Sequence, residues 1–431
     1  MTFDLIIRRA QLRQRGGLTD IGITGGRIAA VETRLPSEGA AEIDAAGRLV
    51  TEPFVDCHFH IDKSFFGEAV GRYDYPLKPL SGPGELFEGE VRSGMQEYEL
   101  LHSNVVPIEH TWAFKRQYTP TEVAERVGRA LELALAHGTL AMRMFVDVDS
   151  FAGLRALEGV LLARERFGRT MTLQVCAFPQ EGLLTNPAAF DLMRQAMDMG
   201  ADVVGGIPFI ELDDEGARRH IDYCFDLAKR YDRDVHMLCD DAPNPNFRTL
   251  EMLAAKTIRE EYHGRVSSGH NGALRVYPDA HAARVINLVR QARINIVANP
   301  NVNALGTLTR VNELMAAGVN VCSGQDDLDN FYYPLGRADL LDSMNFMVHL
   351  AHLATPQGFE VAFDIVTRNG ARTLGMSGYG LEVGAEANLL IFDGSNLHDV
   401  LQMQADRNYV IARGRIVAST TRQRHIELIR E

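Results

Sequence analysis

His58 and His60 stand two residues apart in Val55-Asp56-Cys57-His58-Phe59-His60, a segment that reads as a short buried strand. Strand side chains alternate faces, so both imidazoles leave the same side, about 6–7 Å apart along the backbone. Two imidazoles so placed can share one divalent ion. The competing reading is a pair of half-buried histidines in a turn, and the pair alone does not decide. Residues of matching chemistry recur downstream: His236 with Asp240 and Asp241, His270, and Asp326 with Asp327. Neutral imidazoles and one carboxylate can hold a divalent ion while leaving a position for water. The ion lowers the pKa of that water, giving hydroxide near neutrality. An adjacent carboxylate can take the water proton and return it to a leaving group.

These residues need elements that bring them together. The centre of the chain alternates strand and helix signals. Candidate strands are Phe54–Phe59, Thr139–Val148, Met171–Phe178, Asp202–Ile207, Asp234–Cys239, Arg265–His270, Ile294–Asn299 and Val319–Ser323. From the second onward they recur every ~25–35 residues, the length of one βα unit. Helical periodicity fills the gaps over Thr121–His137, Ala188–Met199, Ala217–Tyr231, Thr249–Tyr262 and Ala280–Ala292. Eight such units predict a (β/α)8 TIM-type barrel, whose chemistry sits at the C-terminal strand ends. A doubly wound sheet is disfavoured because no Gly-x-Gly-x-x-Gly turn follows an early strand. Strand one then offers His58 and His60, and strand three ends in Phe178-Pro179-Gln180-Glu181. Strand five offers His236 and the acids after it, strand six His270, strand seven Asn299 and strand eight Asp326. Taken singly, Asp326 could cap a helix and His270 could be a satisfied core residue. Convergence on one face weakens both alternatives. The other histidines, His102, His137, His220 and His425 among them, are expected to be solvated.

Residues 3–50 and the last fifty residues share a different texture, short alternating strands broken by Gly pairs. They are expected to pair into a small β-sandwich domain, residues 1–52 plus 378–431, around a barrel at 53–377. The interval at residues 61–120, with Tyr73, Tyr75 and Pro76–Pro83, reads as a long loop over the catalytic face.

The chain has 431 residues and a net charge of −13, with Lys and Arg scattered. No basic stripe exists for a nucleic-acid polymer, and no apolar run approaches the ~18–20 residues of a membrane span. The start, Met1-Thr2-Phe3-Asp4-Leu5, lacks the basic opening of a signal peptide. Five dispersed cysteines, without a Cys-x-x-Cys pair, fit a reducing compartment, so a cytoplasmic location is expected. A homo-oligomer is possible.

The segment Phe54 to Phe65, with Ala177-Phe178-Pro179-Gln180-Glu181-Gly182, Asn299-Pro300-Asn301-Val302-Asn303 and Asp326-Asp327 through Tyr333-Pro334-Leu335-Gly336, resembles the amidohydrolase superfamily. The likeness is to its cytosine deaminase and N-isopropylammelide amidohydrolase branch, to whose isopropylammelide members His137-Gly138-Thr139-Leu140 and Val146-Asp147-Val148-Asp149-Ser150 are also similar. It extends over nearly the whole chain. It implies one divalent metal ion, zinc or iron, held by His58, His60, a strand-five histidine and Asp326. It implies that His270 orients the hydroxide or polarises the substrate, and that a strand-five acid shuttles protons. Gln180 would hydrogen-bond a small cyclic nitrogenous substrate, with Asp327 and Tyr332 beside it.

Strand five departs from the branch. Counting from Tyr231-Asp232-Arg233 puts Leu238 at the ligand position and Asp241 at the acid's. His236 lies two residues earlier on the same face. It is either a ligand reached through a shifted register or a buried polar residue of the barrel. Asp241 is assigned as the general acid, with Asp240 its rival, and Asp326 as acceptor of the water proton. Strand two reads Met142-Arg143-Met144-Phe145 where the branch has Thr-His, and Gln325 precedes the aspartate in place of His or Ser. The leading expectation is a deaminase acting on a pyrimidine-, triazine- or creatinine-like amidine or guanidine. The alternatives are hydrolysis of a cyclic or exocyclic amide, and a metal-poor homologue that binds a small ligand without turnover.

Overall fold

The computed structural model describes residues 2–36, 38–66, 108–301, 308–423 and 425–428. Its strands run β1 (Phe3–Leu12), β2 (Leu18–Thr24), β3 (Arg27–Glu32), β4 (Gly39–Asp44) and β5 (Leu49–Thr51). The next eight are β6 (Phe54–His60), β7 (Thr139–Asp147), β8 (Thr172–Phe178), β9 (Val203–Gly206), β10 (Asp234–Cys239), β11 (Val266–His270), β12 (Asn295–Ala298) and β13 (Val321–Ser323). Last come β14 (Leu389–Phe392), β15 (Arg407–Ala412) and β16 (Arg415–Ser419).

β6 to β13 form an eight-stranded sheet in sequence order. From β7 to β13 every neighbouring pair is parallel. Helices cover its outer face, so β7, β9, β11 and β12 are buried at every position. The end of β13 returns to β6. Asp326 N donates to His58 O at 2.8 Å, and His60 N donates to Asp326 O at 2.7 Å. This is the closure of a (β/α)8 barrel. Gly324 permits it, because a Cβ there would lie 2.4 Å from His58 O and 2.7 Å from His58 N.

The helix expected from Ala217 begins at Asp214, because the Asp213 carboxylate caps it by accepting from Gly216 N at 2.7 Å. The interval expected as one long loop contains a 3-10 turn at Ile61–Lys63 and a helix at Ile108–Lys115. Tyr73, Tyr75, Pro76–Pro83, His102, Val302 and Asn303 lie outside the described residues.

The second sheet is built from both chain ends, in the order β16-β15-β14-β5-β1-β2-β3, with β4 also on β1. β1 forks it: its first half pairs with β4 and its last two residues with β5. Leu5, Ile7, Ile21, Ile23, Val50, Leu389, Ile391 and Ile411 meet in its apolar core. Contacts divide the chain into two compact units. One comprises Met1–Phe54, Leu133–Leu140 and Met376–Glu431, the other Val55–Glu132 and Ala141–Gly375. No helix among the described residues is long and apolar enough to cross a membrane.

Candidate active site

At the C-terminal ends of β6 and β13 three ligand-type atoms converge. His58 Nε2 lies 3.2 Å from His60 Nε2 and 3.2 Å from Asp326 Oδ1, and His60 Nε2 lies 3.7 Å from the same oxygen. The centre of that triangle is about 2.0 Å from each atom, the length of a zinc–nitrogen or zinc–oxygen bond. Burial lowers the pKa of His58; for His60 burial, Lys63 and His58 lower it further. Both imidazoles are therefore neutral, the form that binds metal. Burial works against the Asp326 carboxylate, but His270 and His58 outweigh it and hold it well below the usual range. Two imidazoles and a carboxylate gathered this closely form a donor set that fits a divalent cation.

His270, at the end of β11, joins from the side. Its Nε2 is 3.5 Å from Asp326 Oδ2, and its Nδ1 is 2.8 Å from Asp241 Oδ1. Burial disfavours the imidazolium, yet Asp241 and Asp326 raise its pKa well above normal. His58, His270 and Asp326 also form a grouping close enough to share an ion. His270, Asp240 and Asp326 all have positive φ, at 65°, 51° and 67°. Side-chain-bearing residues rarely adopt this region, and it concentrates at functional sites. The turn at Asp240 has a direct effect. Its carboxylate swings away from the barrel mouth to accept from Thr249 N at 2.8 Å and Leu250 N at 3.0 Å, capping the helix Thr249–Arg259. Asp241 is thereby turned into the cavity at the strand ends.

The cavity is lined on its polar side by His60, Lys63, Gln180, His270, Asp326 and Asp327, and on its apolar side by Ile207, Phe209, Leu238 and Tyr332. Ile207, Phe209 and Leu238 belong to one apolar cluster with Phe145 and Phe178. Burial and the neighbouring Asp326 push Asp327 up to about 8, and its Oδ1 accepts from Asn330 Nδ2.

His236 departs from the expectation that it joins the ligands of His58, His60 and Asp326. Its Nε2 faces the opposite nitrogen of His58, Nδ1, at 3.4 Å. Its own Nδ1 takes a contact from Arg143 Nη1 at 3.3 Å. The cause is register: His236 sits two residues below Leu238, level with Gly205 and Ser267, and no bulge lifts it. Leu238 occupies the upper layer instead. Phe145, on β7, packs its ring 3.9 Å from that of His58. His220 is a second correction. It is fully buried rather than solvated, with Nδ1 2.7 Å from Glu211 Oε1 and Nε2 accepting from Ile207 N at 3.0 Å. Of the other histidines expected to be solvated, His425 is exposed and His137 half-buried.

Behind Gln180 lies a charge cluster that the sequence reading missed. Lys63 Nζ contacts Asp147 Oδ1 at 2.6 Å, Gln180 Oε1 at 3.1 Å and His60 Nδ1 at 3.2 Å. Lys115 Nζ contacts Asp147 Oδ2 at 2.5 Å, Asp149 Oδ2 at 2.8 Å and Glu181 Oε1 at 3.1 Å. Asp147 carried a signal, an acid at the end of a candidate strand. Lys115 carried none, since its helix lay inside the presumed loop.

Comparison with known proteins gives a consistent neighbourhood. Residues 41–418 match the amidohydrolase family. The chain is 31% identical over 418 residues to N-isopropylammelide isopropyl amidohydrolase of Pseudomonas sp. (strain ADP), covering 96% of this chain and 97% of that one. The structure of 5-methylcytosine deaminase from Klebsiella pneumoniae liganded with 5-fluorocytosine superposes with a TM-score of 0.82 at 29% identity, covering 99% of both chains. N-isopropylammelide isopropylaminohydrolase from Burkholderia multivorans gives 0.79 at 25% identity, covering 96% of this chain and 98% of that one. With a closed (β/α)8 barrel, a sheet from both chain ends and histidine and aspartate side chains gathered at the strand ends, the chain belongs to the amidohydrolase family.

Proposed function

We propose that this hydrolase removes an amine from a C=N carbon of a small cyclic amidine or guanidine, with pyrimidine, triazine and creatinine-like rings as the substrate class. The observation that carries the reading is the meeting of His58, His60 and Asp326 with the His270–Asp241 pair in one cavity. Relatives that act on N-isopropylammelide and 5-methylcytosine support the ring class. His58, His60 and Asp326 would hold one zinc or iron ion, which when bound supplies a Lewis acid that makes water nucleophilic at neutral pH. His236 supports His58 from beneath.

The chain's own groups then divide the work. Asp326, held ionised, takes the proton of the attacking water. His270, clamped between Asp241 and Asp326, fixes the direction of attack. Asp241 delivers a proton to the ring or the departing nitrogen. Ile207, Phe209 and Leu238 cover the faces of a planar ring and exclude water from it. Gln180, Asp327 and Tyr332 meet its edges.

The test is a screen of cyclic amidines, with free and alkylated exocyclic nitrogen, against zinc- and iron-loaded protein. Ammonia or alkylamine release is the readout. Asp241→Asn should lower turnover by about 10²–10⁴-fold with metal retained. If Asp240→Asn does this instead, the proton shuttle is misassigned. If no amine is released while a cyclic amide is opened, the reaction class is wrong.

A further inference from the structure

β9 ends at Gly206, and after Ile207 the backbone folds into a 3-10 turn at Pro208–Ile210. Ile207 and Phe209, two of the apolar residues that line the cavity, stand on this short segment. The N–H of Ile207 lies past the last pairing of β9 with β10, and Pro208 has no N–H to give. One imidazole holds both ends of the segment. His220, fully buried on the helix Asp214–Tyr231, accepts from Ile207 N through Nε2 at 3.0 Å, and its Nδ1 lies 2.7 Å from Glu211 Oε1. A backbone N–H can only donate, so Nε2 is the bare nitrogen and Nδ1 carries the proton that goes to Glu211. Glu211 Oε1 also accepts from Leu183 N at 2.8 Å and Leu184 N at 3.2 Å, in the loop after β8. The glycine at 206 makes room for the ring, since a Cβ there would crowd His220 Nε2 at 3.2 Å.

We propose that His220 is a positioning residue for the substrate ring, acting through the Ile207–Glu211 segment that it closes. Its bond to Ile207 N sets the apolar wall of Ile207 and Phe209 against a face of the ring. Its bond to Glu211 ties that wall to the loop after β8. A wall held at both ends accepts a flat ring and disfavours a puckered one of the same polar outline. This rests on the reading above that the cavity takes a small cyclic substrate, and it adds to that reading the residue that keeps the wall in place.

The test compares uracil with 5,6-dihydrouracil, which present the same carbonyl and N–H edges and differ in flatness, titrated calorimetrically into zinc-loaded protein. The wild type should favour uracil by about fivefold, the scale of one aromatic contact. His220→Asn puts an amide where Nδ1 stood, so it still donates to Glu211 but leaves Ile207 N without an acceptor. It should bring the ratio close to one. His220→Gln reaches as far as Nε2, so its oxygen can accept from Ile207 N, and it should keep most of the preference. A role confined to the buried pair with Glu211 would leave the ratio unchanged in His220→Asn, and that result overturns the proposal. A wild type that binds both rings equally overturns it too. Hydrogen–deuterium exchange in the ligand-free protein reads the clamp without any ring. Faster exchange of the Ile207 amide in His220→Asn than in the wild type and His220→Gln supports the proposal, and equal protection in all three refutes it. Should neither ring bind the wild type, the substrate class proposed above fails, and the exchange result alone judges His220.

Discussion

Replacing His236 separates a support from a ligand. In the structure His236 touches His58 through the nitrogen that faces away from His60 and Asp326, at 3.4 Å. Removing it as His236→Leu deletes one hydrogen-bonding partner of a ligand and none of the three converging donors. Arg143 does not become an orphan, since its Nε and Nη2 still donate to Gln174 Oε1 at 3.0 and 2.8 Å, and Ser267 Oγ lies 3.4 Å from Nη1. Loss of an outer partner of a metal-bound histidine typically costs 10–100-fold in affinity, or about 1.4–2.8 kcal/mol. The 3.4 Å contact is long, which places His236→Leu near the lower end of that range. His60→Leu and Asp326→Ala each remove a donor from the triangle and should abolish stoichiometric binding. The assay is competition for zinc against a chromophoric chelator, with bound metal counted by elemental analysis. His236→Leu should keep one metal per chain at roughly tenfold weaker affinity. If it loses the metal as completely as His60→Leu does, His236 is a ligand and the layer assignment is wrong.

Lys115→Met should destabilise the protein by about 3–5 kcal/mol, because it leaves buried carboxylates at Asp149 and Glu181 without their cation. An unchanged denaturant midpoint would show that the cluster contributes nothing. Glu211 is held below its normal pKa: burial raises it, but His220 and the Leu183 and Leu184 amides outweigh that. Its contribution is thus complete above about pH 4.3, the unfolded value, and is lost as pH falls through the lower folded value. Melting curves between pH 3 and 7 should show that acid slope in the wild type and a flatter profile in Glu211→Gln, lower by about 1–3 kcal/mol at neutral pH. Gly324→Ala forces a Cβ onto His58 backbone atoms, so metal binding and melting temperature should both fall, and wild-type values for both would contradict the closure described for β6 and β13.

The sequence alone determined what is periodic or local. Buried strands such as Asp234–Cys239 were legible to the residue, because strands covered on both faces are continuous apolar runs. The amphipathic helices that cover them repeat at helical spacing, and chain order then dictates the order of the barrel. The His-x-His pair and the aspartate after β13 were legible because the strand ends of a barrel share one rim. Tertiary structure decided whatever depends on depth or on a single backbone angle. His236 and Leu238 share a face of β10, and only the register against β9 and β11 shows which layer each occupies. Asp240 and Asp241 are adjacent and chemically alike, and one left-handed residue sends the first to a helix terminus and the second to the cavity. Lys63, Lys115 and Asp147 are far apart in the chain. No local pattern links them, and they form a cluster only because buried charges must find partners wherever the fold brings them within reach.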